Sequence, residues 1–115
     1  MTPDDRTPAH VADMLQFIVE LQALAAGLSL RDCLRNRVLN LAVEKLFINI
    51  GEAATRIDAA QRPGIPNVPW RQIIGVRNIL AHGYEQIEHE SLYRTTTQDL
   101  AAVEAALRDW LQRQV

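Results

Sequence analysis

Four side chains able to bind a phosphate or move a proton lie within one eight-residue stretch: Arg77, Asn78, His82 and Tyr84. In a helix, residues four apart adjoin on one face, which brings Asn78 next to His82. Arg77 and Tyr84, seven apart, share the neighbouring stripe. Histidine can exchange a proton near neutral pH, and arginine can bind a phosphate through two hydrogen bonds. Together they suit metal-free cleavage of an RNA phosphodiester by its adjacent 2′-hydroxyl.

The same residues also have structural interpretations. A histidine near a helix C-terminus commonly caps the helix, and a mid-helix arginine commonly forms a surface ion pair. If Gly83 ends the helix, Tyr84 leaves the stripe of Arg77. His82 has no carboxylate or histidine four residues away, so we expect neither a metal site nor a cofactor there.

A second polar set lies on a central helix predicted over residues 37–61. Lys45, Asn49, Glu52 and Arg56 follow the spacing i, i+4, i+7, i+11 and therefore share one helical face. One interpretation is a solvated stripe braced by a Glu52–Arg56 pair. The other is one wall of a polar site inside a helical bundle. Spacing alone leaves both open.

Apolar residues recurring every three or four positions predict four long helices, over residues 7–26, 37–61, 70–82 and 91–114. Gly27 is placed to end the first, and Ser29 with Asp32 resembles a capping box that opens a short extra segment. The central helix is apolar on two stripes and should lie in the middle. The expected fold is an all-α antiparallel bundle of four or five helices.

The motif lies on the third long helix, after a proline-rich loop over residues 62–69. Pro69 is expected at the first helical position, where its missing N–H costs nothing. Ile74, Ile79 and Leu80 should face the core. His89 falls near the start of the last helix and is interpreted as structural.

Composition limits the remaining possibilities. The chain has 115 residues, 48% of them apolar, which fits a single domain over 1–115. No apolar run is long enough to cross a membrane, and residues 1–6 lack the features of a secretory signal, so we expect a cytoplasmic protein. The lone cysteine, Cys33, cannot form an intrachain disulfide and is expected to be a small buried residue.

The charge balance gives no overall attraction to nucleic acid, because the net charge is −2. However, Lys45 is the only lysine among twelve basic residues, and the rest are arginines. Arginine suits bidentate phosphate binding, although codon usage explains the same excess. Any RNA-binding surface must therefore be local.

The segment R-N-I-L-A-H-G-Y, residues 77–84, matches the R-x-x-x-x-H-x-Y signature of HEPN-domain ribonucleases. Two further segments, I-G-E-A-A at 50–54 and V-P-W-R-Q-I-I-G at 68–75, are similar to the HepT-like toxins of that family. The resemblance extends from the first helix to Trp110. It implies an all-helical homodimer whose motif segments meet near the twofold axis. It also implies a metal-independent endoribonuclease with Arg77 and His82 as the catalytic pair.

The resemblance implies further roles and partners. Four residues are expected to support the site: Asn78, Glu52, Lys45 and Asn49. Glu52 would orient Arg77 or His82, and Lys45 stands where the family often has arginine, which weakens phosphate binding. The implied partners are an RNA substrate and an MntA-type nucleotidyltransferase antitoxin. Some such antitoxins silence the toxin by transferring AMP to the motif tyrosine, here Tyr84.

Two other functions fit the residues. One is a non-catalytic helical module that binds a nucleotide or scaffolds a nucleotidyltransferase, but such modules commonly lack the intact Arg77–His82 pair. The other is a plain dimeric bundle in which the polar face of the central helix only fixes the register.

Overall fold

A computed structural model describes residues 5–82 and 88–114 of the chain. Six helices form: α1 (Thr7–Ala25), α2 (Leu30–Arg35), α3 (Arg37–Arg56), α4 (Trp70–Ala81), α5 (His89–Arg94) and α6 (Leu100–Gln112). A 3-10 turn, Arg62–Gly64, precedes α4, and a π-helical turn, Thr95–Asp99, joins α5 to α6. These residues contain no strand, which confirms the predicted all-α fold. No helix among them is long and apolar enough to span a membrane.

The breaks between the first three helices come from local signals. Gly27 follows α1 with φ +76°, a left-handed conformation that favours glycine. The Ser29 hydroxyl accepts a hydrogen bond from the Asp32 N–H at 3.1 Å and begins α2. The Asn36 side chain then accepts from the Leu39 N–H at 3.0 Å, which separates α2 from α3. The predictions for Gly27 and Ser29 are confirmed.

The end of α3 differs from the prediction, which placed it at residue 61. The helix stops at Arg56 because Ile57 turns into an extended conformation (φ −81°, ψ 122°). Its side chain becomes completely buried there. An arginine from the following loop, Arg62, donates to the Ala54 carbonyl at 3.5 Å. The chain thus leaves the helix at the point where Ile57 enters the core.

α4 begins at Trp70, as predicted, but Pro69 is not its first helical residue. Pro69 precedes the helix as its cap, with a non-helical ψ of 72°, and Trp70 is the first helical residue. Ile74 and Leu80 pack against the core, as predicted. Ile79 does not belong to the core, so that part of the prediction is wrong. Trp70, Ile73 and Val76 pack there in addition, so the face that α4 turns toward the core includes residues that the prediction did not name.

The last predicted helix, 91–114, is neither continuous nor correctly started, because α5 begins at His89 and a π-helical turn interrupts the run. Leu92, Thr96 and Leu100 are all buried, at a spacing of four residues per turn. An α-helix has about 3.6 residues per turn, so the wider π-turn keeps the three side chains on the core side. The Thr96 hydroxyl stabilises this turn by donating to the Leu92 carbonyl at 2.8 Å.

The core is built around α3, which packs most extensively against α1 on one side and α4 on another. Its central position confirms the prediction. The buried cluster comprises Val11, Met14, Ile18, Leu21, Leu46, Phe47, Ile50, Ala53, Ala54, Ile57, Ile65, Val68, Leu92, Leu100, Val103 and Leu107. None of these residues lies on α4, which contributes only half-buried side chains. The helix that carries the motif therefore lies on the outside of α3, with its far side uncovered.

Candidate active site

The site forms where α4 crosses α3. Gly51 of α3 is buried at the crossing and lies directly under Arg77 of α4. A Cβ atom placed on Gly51 would fall 2.6 Å from Cγ of Arg77 and 3.3 Å from the carbonyl oxygen of Ile73. Glycine inside a helix costs about 1 kcal/mol relative to alanine. The chain carries this cost where a side chain on α3 would overlap Arg77 of α4.

The Arg77 guanidinium is held from two sides without being fully paired. Its Nη1 donates to Oδ1 of Asn78 at 2.9 Å, and its Nη2 lies 4.0 Å from Oε1 of Glu52. Its Nε is buried and has no hydrogen-bond partner within the described residues. The side chains of Arg77 and Glu52 are 30% and 38% exposed. The guanidinium thus keeps donor capacity for a further acceptor.

His82 caps α4 and is tied to the same asparagine. Its backbone N–H donates to the Asn78 carbonyl at 3.3 Å and also to the Leu80 carbonyl. The residue as a whole is exposed. Asn78 therefore connects the motif: its side chain holds the Arg77 guanidinium, and its carbonyl holds the end of the helix at His82.

The other predicted residues lie on α3. Lys45 and Arg56 are exposed, and Asn49 is half-buried. Glu52 forms its ion pair with Arg77 rather than with Arg56, so the interpretation as a stripe braced by a Glu52–Arg56 pair is wrong. The structure instead makes Glu52 part of the contact between α3 and α4. Tyr84 and Gly83 fall outside the described residues, and the expectations about them remain predictions.

Sequence reasoning missed two features that bring distant parts of the chain together. One is Gly51, whose signal was a glycine inside an otherwise apolar helix. The other is a hydrogen bond between His89 Nε2 and Glu44 Oε2, 2.7 Å apart, which connects the start of α5 to α3. The two residues are 45 positions apart, and no spacing rule links them. His89 is structural, as predicted, but its partner could not be named.

Cys33 stays apart from this site. It is buried beside α3, and burial raises the pKa of its thiol, with a smaller contribution from the Asp32 carboxylate. That direction disfavours the reactive thiolate. Among residues 5–82 and 88–114, no three His, Cys, Asp or Glu side chains come together as a candidate metal site.

Comparison with known proteins agrees with this architecture. The family described as "Ribonuclease HepT-like" matches residues 14–109. A Methanocaldococcus jannaschii protein named "Putative RNase MJ1380" is 28% identical, over 83% of this chain and 87% of its own. One from Caldanaerobacter subterraneus subsp. tengcongensis, named "Putative RNase TTE0752", is 26% identical over 91% of each chain. "Probable ribonuclease HepT" of Thermococcus cleftensis is 23% identical, over 82% of this chain and 86% of its own.

No solved structure matches the chain. The family match covers most of the sequence, including α3, α4 and the whole described part of the motif. The helical bundle and the extent of this match define the class of protein. The chain belongs to the HepT-like ribonuclease family, which confirms the resemblance read from its motifs.

The ion pair between Glu52 and Arg77 should contribute little to stability. Its atoms are 4.0 Å apart and about a third exposed, so we expect a coupling free energy below about 1 kcal/mol that falls further in salt. A double-mutant cycle of Glu52→Gln and Arg77→Gln, followed by urea unfolding, measures it. The same cycle on the exposed Glu104–Arg108 pair, 2.8 Å apart, is the control. A coupling above about 2 kcal/mol would contradict the expectation.

Proposed function

We propose that this protein is a metal-independent endoribonuclease with Arg77 and His82 as its catalytic residues. The observation that carries the proposal is the state of Arg77, whose guanidinium donates to Asn78 at 2.9 Å, lies 4.0 Å from a Glu52 carboxylate oxygen and keeps further N–H donors. Guanidinium N–H donors of this kind can bind a phosphate oxygen. Membership of the HepT-like ribonuclease family supports the same conclusion.

The proposed reaction needs only proton transfer and charge stabilisation. A base removes the proton from the 2′-hydroxyl, whose oxygen attacks the adjacent phosphorus. The bond from phosphorus to the 5′-oxygen breaks, and an acid protonates that leaving oxygen. The products are a 2′,3′-cyclic phosphate and a 5′-hydroxyl. Arg77 binds a non-bridging phosphate oxygen and stabilises the charge that develops on it. His82 supplies the proton transfer.

Purified protein should cleave RNA in excess chelator and leave 2′,3′-cyclic phosphate ends. His82→Ala should slow cleavage by about 100-fold to 10,000-fold, because it removes the proton-transfer group. Arg77→Ala should slow it by about 100-fold to 1,000-fold, because it removes a donor to the developing charge. The measurement is the initial rate on several RNA pools, with product ends analysed chemically.

Arg71→Ala is the matched control for this experiment. Arg71 lies on the same helix and is exposed. The substitution therefore removes one positive charge from α4 outside the motif, and it should leave the rate within about twofold of the wild type. Circular dichroism must show that every variant stays folded. A folded wild-type protein that cleaves none of the pools would contradict the proposal and favour the nucleotide-binding module instead.

We further propose that the active form is a homodimer. Each chain has one motif histidine, whereas the reaction uses a base and an acid, and a twofold axis would bring two into one cleft. The uncovered side of α4 supports this, because half-buried Ile79 lies outside the core. On α3, Val38 and Leu41 are 78% and 50% exposed. They lie on the same face of the helix as Lys45, four residues after Leu41, which begins the polar face. Such apolar residues suit burial in a subunit interface.

Mixed dimers test whether two histidines share the reaction. We expect a dimer with one wild-type and one His82→Ala subunit to be far below half as active as the wild type, because it lacks either the base or the acid. Differently tagged subunits, coexpressed and purified through both tags, provide the mixed species. Arg71→Ala mixed dimers are the control. Half of the wild-type rate per mixed dimer would show that each histidine works alone.

We also propose that the nuclease is a toxin silenced by a nucleotidyltransferase antitoxin that transfers AMP to Tyr84. The support is the motif R-x-x-x-x-H-x-Y together with simple electrostatics. An added phosphate would place negative charge two residues from His82, where RNA phosphates must bind. Arg77 could then pair with the attached phosphate instead of with the substrate.

Replacing Tyr84 by phenylalanine should separate toxicity from silencing. Phe lacks the hydroxyl that accepts AMP, but Tyr84 takes no part in the proposed proton transfers. Expression of either form alone should therefore arrest growth, whereas coexpression with the nucleotidyltransferase should protect only cells with the wild-type form. Mass spectrometry of the coexpressed wild type should show one added AMP. Equal protection of both forms would contradict modification at this residue.

A further inference from the structure

We propose that Gly51 is the residue that positions the catalytic Arg77, and that the nuclease site requires glycine there. This inference rests on the proposed function. It concerns a residue of α3 that touches no substrate and carries no side chain. What it supplies is space: the Cβ and Cγ atoms of Arg77 occupy the volume that a side chain at position 51 would take.

The contrast with another helical glycine shows that this space is specific. Gly75 lies on α4, two residues before Arg77, and a Cβ atom added there would meet nothing within 4 Å. At Gly51 the same atom would meet Arg77 Cγ at 2.6 Å, a distance that no real contact tolerates. Helix propensity alone would favour alanine at both positions. Only Gly51 is therefore required by the packing of the described residues.

The contact between the Arg77 side chain and Gly51 determines where the guanidinium lies. Because the stem of Arg77 lies on the α3 backbone, its head emerges beside Glu52, the next residue of that helix, and reaches Asn78 on its own helix. A methyl group on residue 51 would force either α4 to move away from α3 or the aliphatic part of the Arg77 side chain to change its conformation. Both movements displace Arg77 relative to Glu52. Displacement of a catalytic group by about 1 Å can cost about 100-fold in rate.

The test compares Gly51→Ala with the matched control Gly75→Ala. We expect Gly51→Ala to fold with a lower melting temperature and to cleave RNA about 100-fold more slowly. Gly75→Ala should keep the wild-type rate and melt at the same or a higher temperature, because alanine favours the helix. A folded Gly51→Ala protein with the wild-type rate would overturn the proposal.

A second measurement reports on the position of Arg77 rather than on general packing. If Arg77 contacts one RNA phosphate, removing that contact lowers the slope of log binding constant against log salt by about 0.7 on single strands. We expect Gly51→Ala to lower the slope as Arg77→Ala does, and to add nothing in the Arg77→Ala background. An unchanged slope in Gly51→Ala would show that Arg77 still reaches the phosphate, contrary to the proposal.

A third measurement needs no nuclease activity. In the Arg77→Gly background the clashing Cβ and Cγ atoms are gone and only the Ile73 carbonyl oxygen, 3.3 Å away, remains, so adding Gly51→Ala should lower the melting temperature much less than it does in the wild type. The double variant also decides the case if Gly51→Ala alone does not fold. Equal destabilisation in both backgrounds would overturn the positioning role. If the wild type cleaves no RNA, the proposed function fails, while this cycle still decides whether Gly51 positions Arg77.

Discussion

The close crossing of α3 and α4 is the constraint on which the candidate site depends. Because Gly51 has no side chain, the stem of Arg77 lies against the α3 backbone, and residues from two helices reach the same place. The motif itself is local to α4, but its arginine is oriented by Glu52 of the other helix. Without this crossing, Arg77 and His82 would be two exposed residues at the end of a peripheral helix.

Sequence periodicity predicted the helices well because most of them bury one apolar stripe, and a stripe is a local property. Periodicity failed to predict the backbone conformation at two positions where a single side chain is buried in the core. Ile57 ends α3 early by turning inward. Thr96 lies between two buried leucines, Leu92 and Leu100, and a π-turn keeps all three side chains on the core side. Both features depend on what the rest of the fold places opposite, and spacing along the chain carries no such information.

The same distinction applies to the site. Asn78 and His82 could be brought together from their separation of four residues, because both lie on one helix. Glu52 had an equally good local partner in Arg56, at the same separation. Glu52 pairs with Arg77, 25 positions further along the chain, because α4 crosses α3 at this point. The motif could thus be predicted from sequence, whereas the contact that orients it could not.

The weakness of the Glu52–Arg77 pair suits the proposed reaction. A buried bidentate pair would neutralise the guanidinium, and breaking it would cost several kcal/mol. At 4.0 Å and about a third exposed, this pair costs less than about 1 kcal/mol to loosen. Charge-assisted hydrogen bonds to a phosphate are stronger than that. Under the proposed function, an acidic chain would bind RNA locally, because Glu52 lies beside the arginine without competing successfully with the substrate.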